Sequence, residues 1–374
     1  MKHLSEYRDK HKAKKLIDAI WAQSKTPVRL MEVCGSHTVS IFRHGIRQML
    51  PQNIQLISGP GCPVCVTAKA EIDQAIKLSS YPDVVITTFG DMIRVPGSLS
   101  SLQKERAMGA DVRIVYSSFD ALKIAIENPE KKVIFLGIGF ETTAPAIAAT
   151  VLEAKRKNLD NFFILSAHKL LPPALTALLN FDHLNINGFI YPGHVTTIIG
   201  TFAYEQIAEK YNIPGVVCGF EPVDILETIL LLIMQIEQGK TEVEIQYKRG
   251  ASAKGNPRAM DVLNQVFNTC DSYWRGLGPI QGSGLTLRRE YRSFAAEDYF
   301  DLKVPPAKDH PDCVCSEVLC GVKTPTECKL YRKACTPQNP VGPCMVSTEG
   351  TCAAYYKYHE PVSKRTILAD LCVG

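Results

Sequence analysis

The chain of 374 residues has no long apolar run. Its most apolar stretch, Ile225 to Met234, contains Glu227 and is too short and too charged to span a bilayer. No apolar core of a signal peptide follows the opening Met1 to Lys10. There is no long basic run with interleaved aromatics, and the net charge is only +4, so nucleic-acid binding is not suggested. The basic stretch Lys10 to Lys15 suits the solvated face of a helix. Gly-x-Ser-x-Gly is missing, which weakens a hydrolase reading. Gly137-x-Gly139 lacks the third glycine of a dinucleotide fingerprint, and no Walker A sequence is present, so nucleotide binding has no support. No segment is of low complexity. What is left is a cytosolic chain of two or three domains, with 45% hydrophobic residues to fill their cores.

Cysteine, by contrast, is plentiful. Of 13 cysteines, eight crowd the end of the chain: Cys313, Cys315, Cys320, Cys328, Cys335, Cys344, Cys352 and Cys372. In a reducing compartment such clusters bind metal or do redox work more often than they form structural disulfides. The gaps in the tail are wide and irregular, unlike the tight pairs of a zinc ribbon, and they favour an iron–sulfur cluster over zinc. The spacing alone does not choose the four ligands. Few long apolar runs follow position 300, so the tail is expected to need a metal to fix it.

Two further cysteines form Cys62-Pro63-Val64-Cys65 behind Gly59-Pro60-Gly61. A dithiol of this spacing can close to a disulfide and reopen, and a helix start lowers a nearby thiol's pKa. Half of a zinc site is the blander alternative, but no second close pair is evident. Cys34 ends an apolar run and opens Cys34-Gly35-Ser36-His37. It reads as a nucleophile with a neighbouring base, as a metal ligand, or as a small buried hydrophobe.

The body alternates β-rich runs with helical stretches. The runs are Val28–Cys34, Ile54–Ser58, Val84–Phe89, Val112–Tyr116, Val133–Gly137, Phe162–Ser166, Gly188–Tyr191 and Val216–Cys218. Most are continuous in Val, Ile and Phe, as strands covered on both faces of a parallel sheet are. Helices are expected between them, for example Ala68–Ser79 and Ala144–Lys157. The eight runs fall into two evenly spaced sets of four, which suggests two similar α/β domains facing a cleft, with a third, cysteine-rich iron–sulfur domain behind them. The boundaries expected are 1–125, 126–224 and 225–374.

The loops after the strands carry the polar residues. Ligands of open parallel sheets bind beyond the carboxyl ends of the strands. Cys34, His37, Asp91, Glu141, His168, His194 and Glu221 all sit there. For any one of them a capping or hydrogen-bonding role fits equally well; their shared placement carries the signal.

Taken in order, Cys34-Gly35-Ser36-His37-Thr38, Gly59-Pro60-Gly61-Cys62-Pro63-Val64-Cys65, Phe89-Gly90-Asp91-Met92, Gly139-Phe140-Glu141-Thr142-Thr143 and Pro192-Gly193-His194-Val195 resemble the motifs of the HypD family of [NiFe]-hydrogenase maturation proteins. The tail adds Cys-x14-Cys-x6-Cys-x16-Cys through Cys313, Cys328, Cys335 and Cys352. The resemblance spans essentially the whole chain. It implies a [4Fe-4S] cluster on those four cysteines and a scaffold that works with a HypC-type chaperone. On an iron held between the two, the Fe(CN)2CO group would be assembled, with cyanide from a HypE-type donor, for later delivery to the hydrogenase large subunit. It implies that Cys34 is the main iron-binding thiolate, and that Cys62 and Cys65 are a redox pair with further iron contacts. Cys315, Cys320, Cys344 and Cys372 stand outside this pattern. Two other classes fit the residues: a free-standing iron–sulfur disulfide reductase, and a zinc-stabilised structural adaptor.

Overall fold

A computed structural model describes residues 5–181 and 184–359. Eleven strands occur among them: β1 (Val28–Glu32), β2 (Ile54–Ser58), β3 (Val84–Thr88), β4 (Val112–Ile114), β5 (Lys132–Gly137), β6 (Phe162–Ser166), β7 (Gly188–Pro192), β8 (Gly215–Cys218), β9 (Val243–Ile245), β10 (Phe267–Trp274) and β11 (Gly278–Leu287). The first nine form two parallel sheets, ordered β2-β1-β7-β8-β9 and β4-β3-β5-β6. β10 and β11 make an antiparallel hairpin.

Alternation along the strands explains why both sheets lie inside. In β5, Val133 and Phe135 face one apolar cluster while Ile134 and Leu136 face another. In β7, Phe189 and Tyr191 face one side and Ile190 the other. The helix Pro222–Glu237 covers that second side with Ile225, Leu226, Ile229, Leu232 and Ile233, all fully buried. Each such side chain contributes about 1.5–3 kcal/mol by leaving water.

The two α/β units are of like design, as expected. Counting strands within each unit, the first sheet has the order 2-1-3-4-5 and the second 2-1-3-4. The boundaries differ from the expected 1–125, 126–224 and 225–374. β3 and β4 pair with β5 and β6, not with β1 and β2, so the second sheet is nested inside the first. Even spacing reveals βαβ units but not which strand edge receives the next strand; the chain leaves the first sheet at β2 and returns beside β1 at β7. The helix Pro222–Glu237 and β9 likewise complete the first sheet instead of opening a third unit. The hairpin touches both halves, through bridges at Thr67–Trp274 and Lys169–Gly284.

This order creates two switch points, where neighbouring strands send their chains in opposite directions: β1/β7 in the first sheet and β3/β5 in the second. Crevices at switch points are the ligand sites of open α/β sheets. Cys34, His37 and His194 follow β1 and β7; Asp91 and Glu141 follow β3 and β5.

The cysteine-rich tail docks on the first sheet's helices. Its helix Thr351–Tyr358 packs Tyr355 on Phe42 of the helix Gly35–Arg43, with ring centroids 4.4 Å apart. Among the described residues no helix is long and apolar enough to cross a membrane.

Candidate metal and redox site

Three chain segments meet at the β1/β7 switch point. Cys34 is the N-cap of the helix Gly35–Arg43. Gly35 donates its amide to Gly61 O at 3.0 Å. A Cβ on Gly61 would lie 2.2 Å from Cys34 N, and one on Gly35 would lie 2.5 Å from Glu349 O, so both glycines permit backbone contact. Cys34, the Cys62 turn and the tail segment around Glu349 are thereby held together. Glu349 accepts a hydrogen bond from Ser36 Oγ at 2.5 Å.

Burial pushes the half-buried Cys34 thiol up to about 11, and the Glu349 carboxylate adds to the push. The amides of His37 and Ser36 pull the other way. Such a thiol keeps its proton until a cation displaces it, which suits a metal anchor better than a free nucleophile.

His37 is not the base for Cys34. Its ring is fully buried and turned to Cys218 O, 3.3 Å from Nε2, and burial pushes it down to about 4. It stacks on Phe220, which also stacks on His194, at centroid distances of 4.9 and 4.0 Å. His194 stays exposed at the rim, close enough to Glu349 for that carboxylate to oppose the downward push of burial on its pKa.

The tail segment also reaches the second switch point. Asp91 accepts from Ser347 Oγ and from the Thr348 amide, each at 3.3 Å, and Arg94 donates to Val346 O at 3.0 Å. Asp91 is thus a clamp that closes residues 346–349 across the two rims. Glu221 and His168 take the blander roles. Glu221 pairs with Arg8 at 2.5 Å, and His168 is buried with Nδ1 3.0 Å from Ser166 Oγ.

Glu141 is buried where the halves touch. One carboxyl oxygen accepts from the Leu171 amide at 2.8 Å, the other has no partner, and burial pushes the pKa up to about 7. Tyr204, stacked on Tyr191 at 4.0 Å, lies within its electrostatic reach and within that of Cys34. A raised carboxyl pKa means that the folded protein keeps a proton which the unfolded chain gives up as pH passes about 4.5. Its contribution therefore falls from there until the folded group ionises near 7. Relative to wild type, Glu141→Gln should gain up to about 3 kcal/mol between those limits and nothing further above them. Denaturant unfolding at stepped pH measures this; a pH-independent difference contradicts the assignment.

Cys62 caps the short helix Pro63–Val66, and its Sγ accepts from the Cys65 amide at 3.3 Å. Both thiols are inside, at 4% and 0% exposure. Burial raises the Cys65 thiol, which neighbours Cys344 as well as Cys62. Cys315 Sγ in turn donates to Cys344 Sγ at 3.1 Å. The thiols are neighbours in the order Cys62, Cys65, Cys344, Cys315.

The far end of that run is a cavity lined by Cys313, Cys315, Cys328, Cys335, Cys344 and Cys352, walled by Tyr331 and Met345. The four cysteines of the tail spacing are all present. Cys335 Sγ also accepts the Val341 amide at 3.4 Å. Among the described residues, no three Cys, His, Asp or Glu side chains gather closely enough to chelate one bare ion. Soft thiolates are the donor set that a [4Fe-4S] cluster takes, each on a different iron, and six cysteines line this cavity of about 20 Å³. Cys320 is elsewhere, donating to Gly276 O at 3.3 Å. Cys372 lies outside the described residues. Sequence reasoning left Cys315 and Cys344 unassigned, and it missed Ser36 and Glu349 altogether; nothing in Ser347-Thr348-Glu349-Gly350 marks a site residue.

Comparison with known proteins gives the family of the chain. The HypD family model, described as the hydrogenase formation hypA family, matches residues 11–359. The chain is 46% identical over 368 residues to the hydrogenase maturation factor HypD2 of Bradyrhizobium diazoefficiens, covering 96% of this chain and 97% of that protein. It is 44% identical over 368 residues to hydrogenase maturation factor HypD of Cupriavidus necator, at 96% and 97% coverage. It is 43% identical over 370 residues to that of Rhodobacter capsulatus, at 96% and 98%.

Proposed function

Because the chain belongs to the HypD family of hydrogenase maturation factors, we propose that it is the scaffold on which the Fe(CN)2CO group of [NiFe]-hydrogenase is assembled. The observation that carries this reading is the backbone contact that holds Cys34, at a switch-point rim, beside the Cys62 turn, from which neighbouring thiols lead to a cysteine-walled cavity.

In this reading Cys34 holds the substrate iron. Low-spin iron(II) bearing carbon monoxide and cyanide suits a soft thiolate. The amides of Ser36 and His37 stabilise the thiolate once the metal has displaced its proton. His194 and Glu349 line the approach, and Cys62, whose turn is held beside Cys34 by the Gly35–Gly61 hydrogen bond, serves as a further ligand. A HypC-type chaperone completes the coordination, a HypE-type donor brings cyanide, and the finished unit passes to the hydrogenase large subunit. The unpaired thiols suit the cytosol, where these steps would take place.

Cys313, Cys328, Cys335 and Cys352 would hold a [4Fe-4S] cluster, which when bound supplies one-electron redox chemistry. Cys315 and Cys344 remain free to act as a pair. As their Sγ atoms bond they release two electrons and two protons, and a Cys62–Cys65 disulfide accepts both as it opens to two thiols. The burial of Cys62 and Cys65 favours this internal partner over a free substrate disulfide, and so favours the scaffold over a free-standing reductase.

Complementation tests the reading. In a host lacking its own protein of this family, this chain should restore [NiFe]-hydrogenase activity. Restored disulfide reduction without active hydrogenase would support the reductase instead.

A further inference from the structure

Behind the Cys62–Cys65 turn lies a pocket of about 560 Å³ that the metal chemistry does not use. That is the size of a small-molecule site. One wall is the first turn of the helix Lys69–Ser79, an 11-residue helix. The first amides of a helix have no acceptor within it, and the helix dipole makes that end attractive to anions. Glu71 reaches back to the Ala68 amide at 2.8 Å. The Lys69 and Ala70 amides have no acceptor among the described residues.

An independent feature of the same pocket is Arg275, a charged side chain only 3% exposed. Its Nε donates to Thr67 O at 3.1 Å and its Nη1 to Asp309 Oδ1 at 2.6 Å, while Nη2, itself closed off from solvent, has no partner. Lys69 Nζ lies 3.6 Å from the same Asp309 oxygen and donates to Lys308 O at 2.7 Å. Two cations therefore share one carboxylate. The pocket's other acid, Glu71, is matched by the buried Lys169, 2.6 Å away. Lys169 stands behind the wall and does not line the pocket, so with Glu71 matched from there, Lys69 and Arg275 face the single carboxylate of Asp309 beside the helix amides. Tyr273 and Pro306 offer apolar surface next to it.

We propose that this pocket binds a small organic oxyanion, a carboxylate or a phosphate, at the first turn of the helix Lys69–Ser79, with Lys69 and Arg275 as counter-charges. Arg275 also donates its amide to Val66 O at 2.9 Å. Ligand binding is thereby tied to the backbone next to Cys65. The site stands whether or not the iron-scaffold reading does.

Calorimetric titration of the full-length, anaerobically purified chain tests it, with inorganic phosphate and benzoate as separate probes at low and high ionic strength. At least one probe should bind saturably, once per chain, and more weakly as salt rises. Phosphate alone, or benzoate alone, would identify the head group. Arg275→Gln should lose at least tenfold in affinity. Because that change also disturbs the contact with Thr67, Ala70→Glu provides a second variant. It places a carboxylate in the pocket at a helix position that favours acids, so the fold should be kept. Ala70→Glu should melt with wild type, keep the visible chromophore, and bind at least tenfold more weakly. Absence of saturable binding to wild type by both probes overturns the proposal. So does an Ala70→Glu protein that melts normally and binds as tightly as wild type.

Discussion

Cys34→Ser should abolish the carbon monoxide and cyanide infrared bands of the isolated protein while leaving its brown chromophore intact. The hydroxyl is a hard donor that stays protonated near neutral pH, so it cannot replace a thiolate under iron with diatomic ligands. The fold should not suffer. Position 34 is a helix N-cap, where Ser is among the preferred residues. The thiol is only half-buried, and stability should change by no more than about 1 kcal/mol. The cysteine cavity belongs to the tail and does not include Cys34. Hydrogenase activity in a dependent host should drop by at least about 100-fold, beyond the 10–100-fold typical of groups that only orient a ligand. Wild-type band intensity in Cys34→Ser would move the anchor to Cys62 and Cys65.

Cys335→Ala should do the reverse. It removes a cavity thiol that already holds the Val341 amide, and it should bleach the visible absorption. The tail around it is built largely of turns and short helices, Cys315–Leu319, Pro343–Val346 and Thr351–Tyr358. With so little regular structure, metal binding and folding are coupled. Amide exchange across residues 313–359 should therefore quicken by orders of magnitude, while the two sheets keep their protection. Cys320→Ala is the control: its thiol touches Gly276 O and lies outside the cysteine-lined cavity, so colour and exchange should match wild type. A stable, fully coloured Cys335→Ala protein would sink the four-ligand assignment.

The strands were legible because burial on both faces writes itself as unbroken Val, Ile and Phe. All eight expected runs form strands, with Ile54–Ser58 and Phe162–Ser166 matching at both ends. The hairpin was not legible. β10 reads Phe-Asn-Thr-Cys-Asp-Ser-Tyr-Trp, and only its terminal Phe267 and Trp274 are buried. β9 is three half-buried residues on a sheet edge. Nesting of one sheet in the other was hidden for a different reason: pairing between β1 and β7 is a property of the folded chain, with no local trace. At the site, Cys34 and Cys62 stood out by residue type. Glu349 did not, because its role depends on a backbone contact at Gly35 made 314 positions away in sequence. The pairing of Cys315 with Cys344 was equally invisible, since irregular spacing says nothing about which thiols meet at 3.1 Å.

The central claim is that this chain carries an iron bearing carbon monoxide and cyanide. The most direct measurement is the infrared spectrum of the protein isolated anaerobically, with its bound partners, from cells that are making [NiFe]-hydrogenase. The account predicts carbon monoxide and cyanide stretches together, with the cyanide bands shifting when cells are given isotopically labelled cyanide precursor. A spectrum empty of both, from protein that shows its full iron–sulfur colour, would contradict it.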